Sequence, residues 1–118
     1  MNAGYGLAVR WSLKDAPEGV ARRLREYVVG TSIARFMFED GLAFKVWRMR
    51  EGEWFEGTYV FGDETARDGF KEEFSGRAAT SPGSEIIGSA PVTIETFEVV
   101  AIAEGPAQFR RGAGPGAI

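Results

Sequence analysis

Residues 42–61, LAFKVWRMREGEWFEGTYVF, constrain this chain more than any other stretch. Two apolar runs rich in aromatic and β-branched residues flank the polar, glycine-containing Arg50-Glu51-Gly52-Glu53, which is the composition of a β-hairpin. A segment on each side of it reads as helix, and a further strand lies beyond each helix. The rest of the chain is therefore expected to be arranged around this hairpin.

Before it, Leu7, Val9, Trp11 and Leu13 alternate with Ala8, Arg10 and Ser12, the period of two that predicts a strand with one fully apolar face. Asp15-Ala16-Pro17-Glu18 reads as a helix start, with Asp15 as the cap. Val20, Leu24, Tyr27 and Val28 then mark one helix face, and Gly30 ends or kinks that helix. Residues 31–40 admit two readings. One is a helical extension carrying Ile33, Phe36 and Met37, and the other is a strand from Arg35 to Phe38 entering a turn; the extension is preferred. Within the hairpin, alternation puts Leu42, Phe44 and Val46 on the helix side and Ala43, Lys45, Trp47 and Met49 on the other.

Asp63 is placed to cap a second helix buried through Phe70 and Phe74, with Gly69 marking a close contact or a weak turn. Residues 77–91 read as a loop with one helical turn near 85–88. Residues 92–103 read as the last strand, with Phe97, Val99 and Ala101 on one face and Glu98, Val100 and Ile102 on the other. The order β-α-β-β-α-β predicts an α+β, ferredoxin-like fold: an antiparallel sheet in the order 4-1-3-2 with both helices on one face. The domain is assigned to residues 1–104, and 105–118 form a Gly- and Pro-rich tail, mobile by composition unless a partner chain or a crystal neighbour holds it. The uncovered face, expected to carry Trp47, Val100 and Ile102, is too apolar to stay wet, so a homodimer is expected.

Composition narrows the chemistry. A chain of 118 residues is one domain, and its net charge of −3 argues against nucleic acid or an anionic membrane as partner. No apolar run approaches a membrane span and no signal peptide is legible, so the cytoplasm is the expected compartment. There are no cysteines and no histidines. That removes disulfides, thiol nucleophiles, Ser-His-Asp triads and imidazole metal sites. No dinucleotide fingerprint, Walker sequence or carboxylate cage is present, so neither cofactor nor metal is expected.

The words LAFKVW, GTYVF, Gly62-Asp63-Glu64 and TFEVV carry a resemblance. Gly41-Leu42 with Lys45-Val46-Trp47, then Gly57-x-Tyr59-x-Phe61, a helix opening on Asp-Glu and a closing strand with Phe97-Glu98-Val99 are together similar to the YdhR-type monooxygenase family. That family belongs with the antibiotic-biosynthesis-monooxygenase-like dimeric α/β barrels. The resemblance covers most of the chain. It implies a homodimer whose sheets enclose a cavity, and cofactor-independent oxidation of an aromatic or quinol-like small molecule. The chain departs from several enzymes of the wider superfamily in having no histidine; Arg10 stands on the first strand where such a residue would be expected.

Five residues are candidates for the site. Lys45 could polarise a phenolate or carboxylate and Trp47 could stack an aromatic ligand; alternatively, Lys45 pairs with a glutamate and Trp47 fills the dimer core. Arg10 could hold an anionic ligand or pair with Glu98 on the neighbouring strand. Tyr59 could donate a hydrogen bond or an electron, or simply fill the core. Glu98, like Glu56, could act as a base if desolvated. Both Lys45 and Trp47 are expected to point into a dimer cavity shared with Arg10. The competing function is a non-catalytic small-molecule-binding or structural dimer of the same fold.

Overall fold

The computed structural model describes residues 4–109 and 112. Its elements in order are β1 (Tyr5–Ser12), α1 (Val20–Tyr27), a π-helical segment (Val28–Ser32), α2 (Ile33–Phe36), β2 (Leu42–Arg50), β3 (Trp54–Phe61), α3 (Glu64–Ser75), a 3-10 turn (Ala78–Thr80), α4 (Pro82–Ile87) and β4 (Thr93–Glu98). All strand pairs are antiparallel, and the order is β2-β3-β1-β4, which is 4-1-3-2 when read from the β4 edge. The fold is α+β and compatible with the ferredoxin-like arrangement. Among the described residues, no helix is long and apolar enough to cross a membrane.

The core forms on one face of the sheet. Leu7, Val9 and Trp11 of β1 stand opposite Tyr59, Gly57 and Phe55 of β3. Leu24 of α1, Phe70 and Phe74 of α3, and Ile87 of α4 pack against them. Trp11 reaches α4, where its indole Nε1 donates to Ser84 Oγ at 2.9 Å. The other face carries Ala8 and Arg10 of β1, Glu56 and Thr58 of β3 and Thr93, Glu95 and Phe97 of β4, and among the described residues no helix packs on it.

Residues 31–40 are helical as far as Phe36, and Asp63 caps α3 by accepting from the Thr65 N–H. Other expectations need correction. Gly19, with φ of 83°, stands at the start of α1 and no side chain caps it, so Asp15 does not serve as the cap. The helix runs through Gly69 with no close neighbour there. β4 stops at Glu98, whose partner Tyr5 is the first residue of β1. Val100 and Ile102 therefore lie past the sheet rather than on its open face. Of the tail, Phe109 rests its ring 5.4 Å from that of Phe44; residues 110, 111 and 113–118 lie outside the described residues.

The largest correction concerns β2. Leu42 pairs with Phe61, but Phe44 pairs with Val60, so Ala43 is one extra residue in the strand. A bulge of this kind reverses the faces on either side of it. Leu42 stays on the helix side, yet Lys45, Trp47 and Met49 also lie there, opposite Tyr59, Gly57 and Phe55. Phe44, Val46 and Arg48 turn to the open face. Gly41, with φ of 77°, sets the strand's entry: a Cβ there would stand 2.5 Å from Ala66 Cβ of α3. Only glycine fits both the left-handed backbone and that approach.

Candidate functional site

On the helix side, three elements bring together a lysine and three rings. Lys45 and Trp47 project from β2 two residues apart, Tyr59 from β3, and Phe36 from α2. The Lys45 Nζ lies 3.5 Å from the ring centre of Phe36, 4.3 Å from Tyr59 and 4.5 Å from Trp47. Phe36 also meets Trp47, Tyr59 and Phe70 edge-on at 5.9, 5.6 and 5.9 Å, which ties the ring cluster to α3. Gly57 makes the space. A Cβ there would stand 3.1 Å from Lys45 Cε and 3.3 Å from a Tyr59 ring carbon, so the missing side chain leaves room for both. Phe36 arrives through the wide turn of the π-helical segment, a feature frequent at functional sites.

Among the described residues, no carboxylate lies within ion-pair distance of the Lys45 ammonium. Ring faces attract a cation, but they solvate it less well than water. Desolvation, helped by repulsion from Arg35, pushes the Lys45 pKa well below the ordinary lysine value; Glu39 opposes the shift from a distance. Glu39 is itself engaged with Arg35 at 2.6 Å. Tyr59 is buried, and desolvation raises its pKa, so the phenol keeps its proton. The arrangement holds a lysine that is readily neutral beside a phenol that is firmly protonated.

A second cluster occupies the open face. Glu56, 4% exposed, takes the Arg10 Nε–H at 2.9 Å on one oxygen, and the Arg48 Nε–H and the Thr58 hydroxyl, both at 2.7 Å, on the other. Desolvation would raise the Glu56 pKa, but the bonds from Thr58, Arg48 and Arg10 outweigh it and hold the carboxyl below its usual range. The Arg10 guanidinium carbon lies 4.1 Å and that of Arg48 5.1 Å from the Trp54 ring centre. Above them is an open depression of about 490 Å³ bounded by Ala8, Arg10, Arg48, Glu56, Thr58, Thr93, Glu95 and Phe97.

The five sequence candidates are therefore divided. Lys45, Trp47 and Tyr59 come together on the helix side, whereas Arg10 stands alone of the five on the open face. Lys45 and Trp47 do not share a cavity with Arg10, because the bulge at Ala43 reverses their face. Glu98 stands opposite Tyr5, away from Arg10, and Arg10 pairs with Glu56 instead. Phe36, Arg48 and Trp54 were not among the candidates. The Arg48–Glu56 pair had a signal, since the two opposite charges are placed symmetrically about Gly52 of the turn. Phe36 had none, because no local pattern says which rings meet a lysine far along the chain. Among the described residues, no group of carboxylates is placed to hold a metal ion.

No family model matches this chain, and no curated protein matches it. Among solved structures, it is similar to the crystal structure of the NE2512 protein of unknown function from Nitrosomonas europaea. The TM-score is 0.62 at 20% identity, over 86% of this chain and 94% of that one. The likeness shows a shared fold.

Proposed function

We propose that this chain is a homodimeric, cofactor-independent monooxygenase of the YdhR type, acting on an aromatic or quinol-like small molecule at the Lys45 site. One observation carries the reading: the Lys45 ammonium is enclosed by Phe36, Trp47 and Tyr59 and, among the described residues, has no carboxylate upon it. A lysine desolvated in this way is partly neutral nearer physiological pH and can accept a proton. The flanking rings suit an aromatic guest. Lys45 would take the proton from an acidic phenol or from the methylene of an anthrone, conjugated through the rings to its ketone, and the resulting anion would give electrons to O₂. In both cases one O₂ is consumed: one oxygen is kept as a new carbonyl, on the methylene carbon or on the ring carbon para to the phenol, and the other leaves as water with the two hydrogens lost. Tyr59, which holds its proton, would donate a hydrogen bond to the substrate oxygen.

The homodimer reading rests on the open face, where Val46 is 44% and Phe97 36% exposed and, among the described residues, no helix covers them. A second copy meeting this face would bury more than the ~1,000 Å² of a specific contact. Light scattering should find a dimer, and Val46→Glu should give a folded monomer.

A structural reading has its own observation: Phe36 already sits on the Lys45 Nζ, so a ligand must displace that ring. Oxygen uptake with anthrone and hydroquinone as probes separates the two. Turnover by the wild type that is lost in a folded Lys45→Met variant supports the oxygenase. Absence of turnover and of any thermal shift with either probe sinks it; a true ligand at 100-fold its Kd adds about 2.7 kcal/mol of stability.

A further inference from the structure

We propose that the open face carries a separate binding site for a small aromatic carboxylate, gripped between Arg10 and Arg48. The two guanidiniums are fixed before any ligand arrives. Each spends its Nε–H on the buried Glu56, and each lies against Trp54. Among the described residues, their terminal amino groups have no protein acceptor. A guanidinium has donors enough for a carboxylate as well as for Glu56, and the planar fork matches a carboxylate's two oxygens. Within the Arg10–Glu56–Arg48 cluster two arginines share one glutamate, and the other carboxylate bounding the depression, Glu95, stands apart from them on β4.

The rest of the depression selects the ligand. Ala8, only 6% exposed, is a small apolar floor, and Phe97 lines the same space from β4. An aromatic ring laid over Ala8 beside Phe97 would carry its carboxylate toward Arg10 and Arg48. The Thr58 and Thr93 side chains bound the space between. Glu95 lies on the far side, opposite Ala8, and repels a second negative charge. That favours a monoanion over the dianion of a phosphate. A volume of about 490 Å³ is ample for a single substituted ring. All these residues belong to one chain and lie across the sheet from Lys45, so the site does not depend on the oxygenase chemistry; in the proposed homodimer the second copy would roof this depression.

The test is calorimetric titration with benzoate and, separately, with inorganic phosphate. It uses the wild type, Arg48→Gln, Arg10→Gln and Lys45→Met, each checked for native circular dichroism. Arg48 is the safer variant, being half exposed on the edge strand. Benzoate should bind the wild type and Lys45→Met alike and lose about tenfold or more in affinity in Arg48→Gln, as expected for losing a charged hydrogen bond. Benzoate binding unchanged in folded Arg48→Gln, or no saturable binding to the wild type, overturns the proposal. Phosphate bound more tightly than benzoate overturns the aromatic carboxylate. Benzoate lost only in Lys45→Met places it in the helix-side ring cluster and overturns this site while supporting the other.

Discussion

Lys45 and Tyr59 stand directly opposite one another on β2 and β3, on the side the helices cover, with the lysine Nζ 4.3 Å from the centre of the phenol ring. Each group's burial favours its uncharged form, and for both the largest cause is desolvation. Burial therefore favours the neutral amine and the neutral phenol together, at some cost wherever the lysine must carry charge.

That cost predicts a pH dependence of stability. The folded chain holds the Lys45 proton less tightly than the unfolded chain, so between the lowered folded pKa and the ordinary value near 10.5 the unfolded state binds the extra proton. Stability contributed at this position therefore rises with pH through that window. Tyr59 acts oppositely: its raised pKa costs stability only above the ordinary tyrosine value near 10. Urea denaturation of wild type and Lys45→Met from pH 7 to 10 should show the variant more stable at pH 7 and the gap closing toward pH 10. A gap independent of pH would show that Lys45 is not desolvated when folded.

Deleting Ala43 should be far costlier than a surface deletion. The bulge lets Leu42 and Lys45 both face the helices. Without the extra residue, either Leu42 leaves the core or Lys45, Trp47 and Met49 turn to the open face. Leu42 is half-buried, so losing its burial alone would cost less than the ~1.5–3 kcal/mol of a fully buried leucine, and losing the ring cluster more. A deletion variant melting within a degree or two of the wild type would show that the strand slips freely.

The same bulge explains how far the fold and the site could be read from sequence. The hairpin, the Asp63 cap and the helical nature of residues 33–36 are local, and turn chemistry, capping and periodicity describe them well. The strand order follows from the succession of elements. The faces of β2 do not. Alternation counts residues, and nothing in Gly41-Leu42-Ala43-Phe44 marks the residue that drops out of the count; it is set by Gly41 lying against α3, a contact between distant parts of the chain. Strict alternation therefore puts Lys45 and Trp47 on the wrong side of the sheet. Arg10 was placed correctly, because β1 has no bulge, but given the wrong partner: Glu56 reaches it across β3, and Glu98 faces the other way.

The contact between β1 and α4 should be sensitive at two adjacent residues for different reasons. Trp11 Nε1 donates to Ser84 Oγ, which in turn donates to the Ala78 carbonyl at 2.6 Å. Ser84→Ala leaves the buried indole N–H unpaired, at about 1–3 kcal/mol. Gly83→Ala keeps the bond but places a Cβ 3.1 and 3.3 Å from the indole ring. The ring is held by Phe55 and Phe74 at 5.6 and 6.4 Å, so it yields poorly, and overpacking should also cost about 1–3 kcal/mol. Guanidinium titrations should show both losses. The double variant should lose less than the sum, since a ring displaced by one change has less to lose from the other. Full additivity would mean that the two do not act through Trp11.

Glu56→Gln separates the charge of the open-face cluster from its shape. In the folded chain the hydrogen bonds from Thr58, Arg48 and Arg10 overcome desolvation, so the carboxyl gives up its proton more readily than in the unfolded chain. Its stabilisation is therefore complete above the ordinary glutamate value near 4.5 and fades as pH falls through the lower folded value. Glutamine fills the same space but offers one accepting oxygen and no charge to two guanidiniums. At pH 7 the variant should lose about 1–3 kcal/mol, the usual range for hydrogen bonds to a charged group. On acidification the wild type should lose stability more steeply, until the two proteins converge below the folded pKa. Thermal melts between pH 7 and pH 3 give the comparison directly. Parallel acid limbs would mean that the Glu56 carboxylate is no better held in the folded chain than in water, and that Arg10 and Arg48 are not fixed by it.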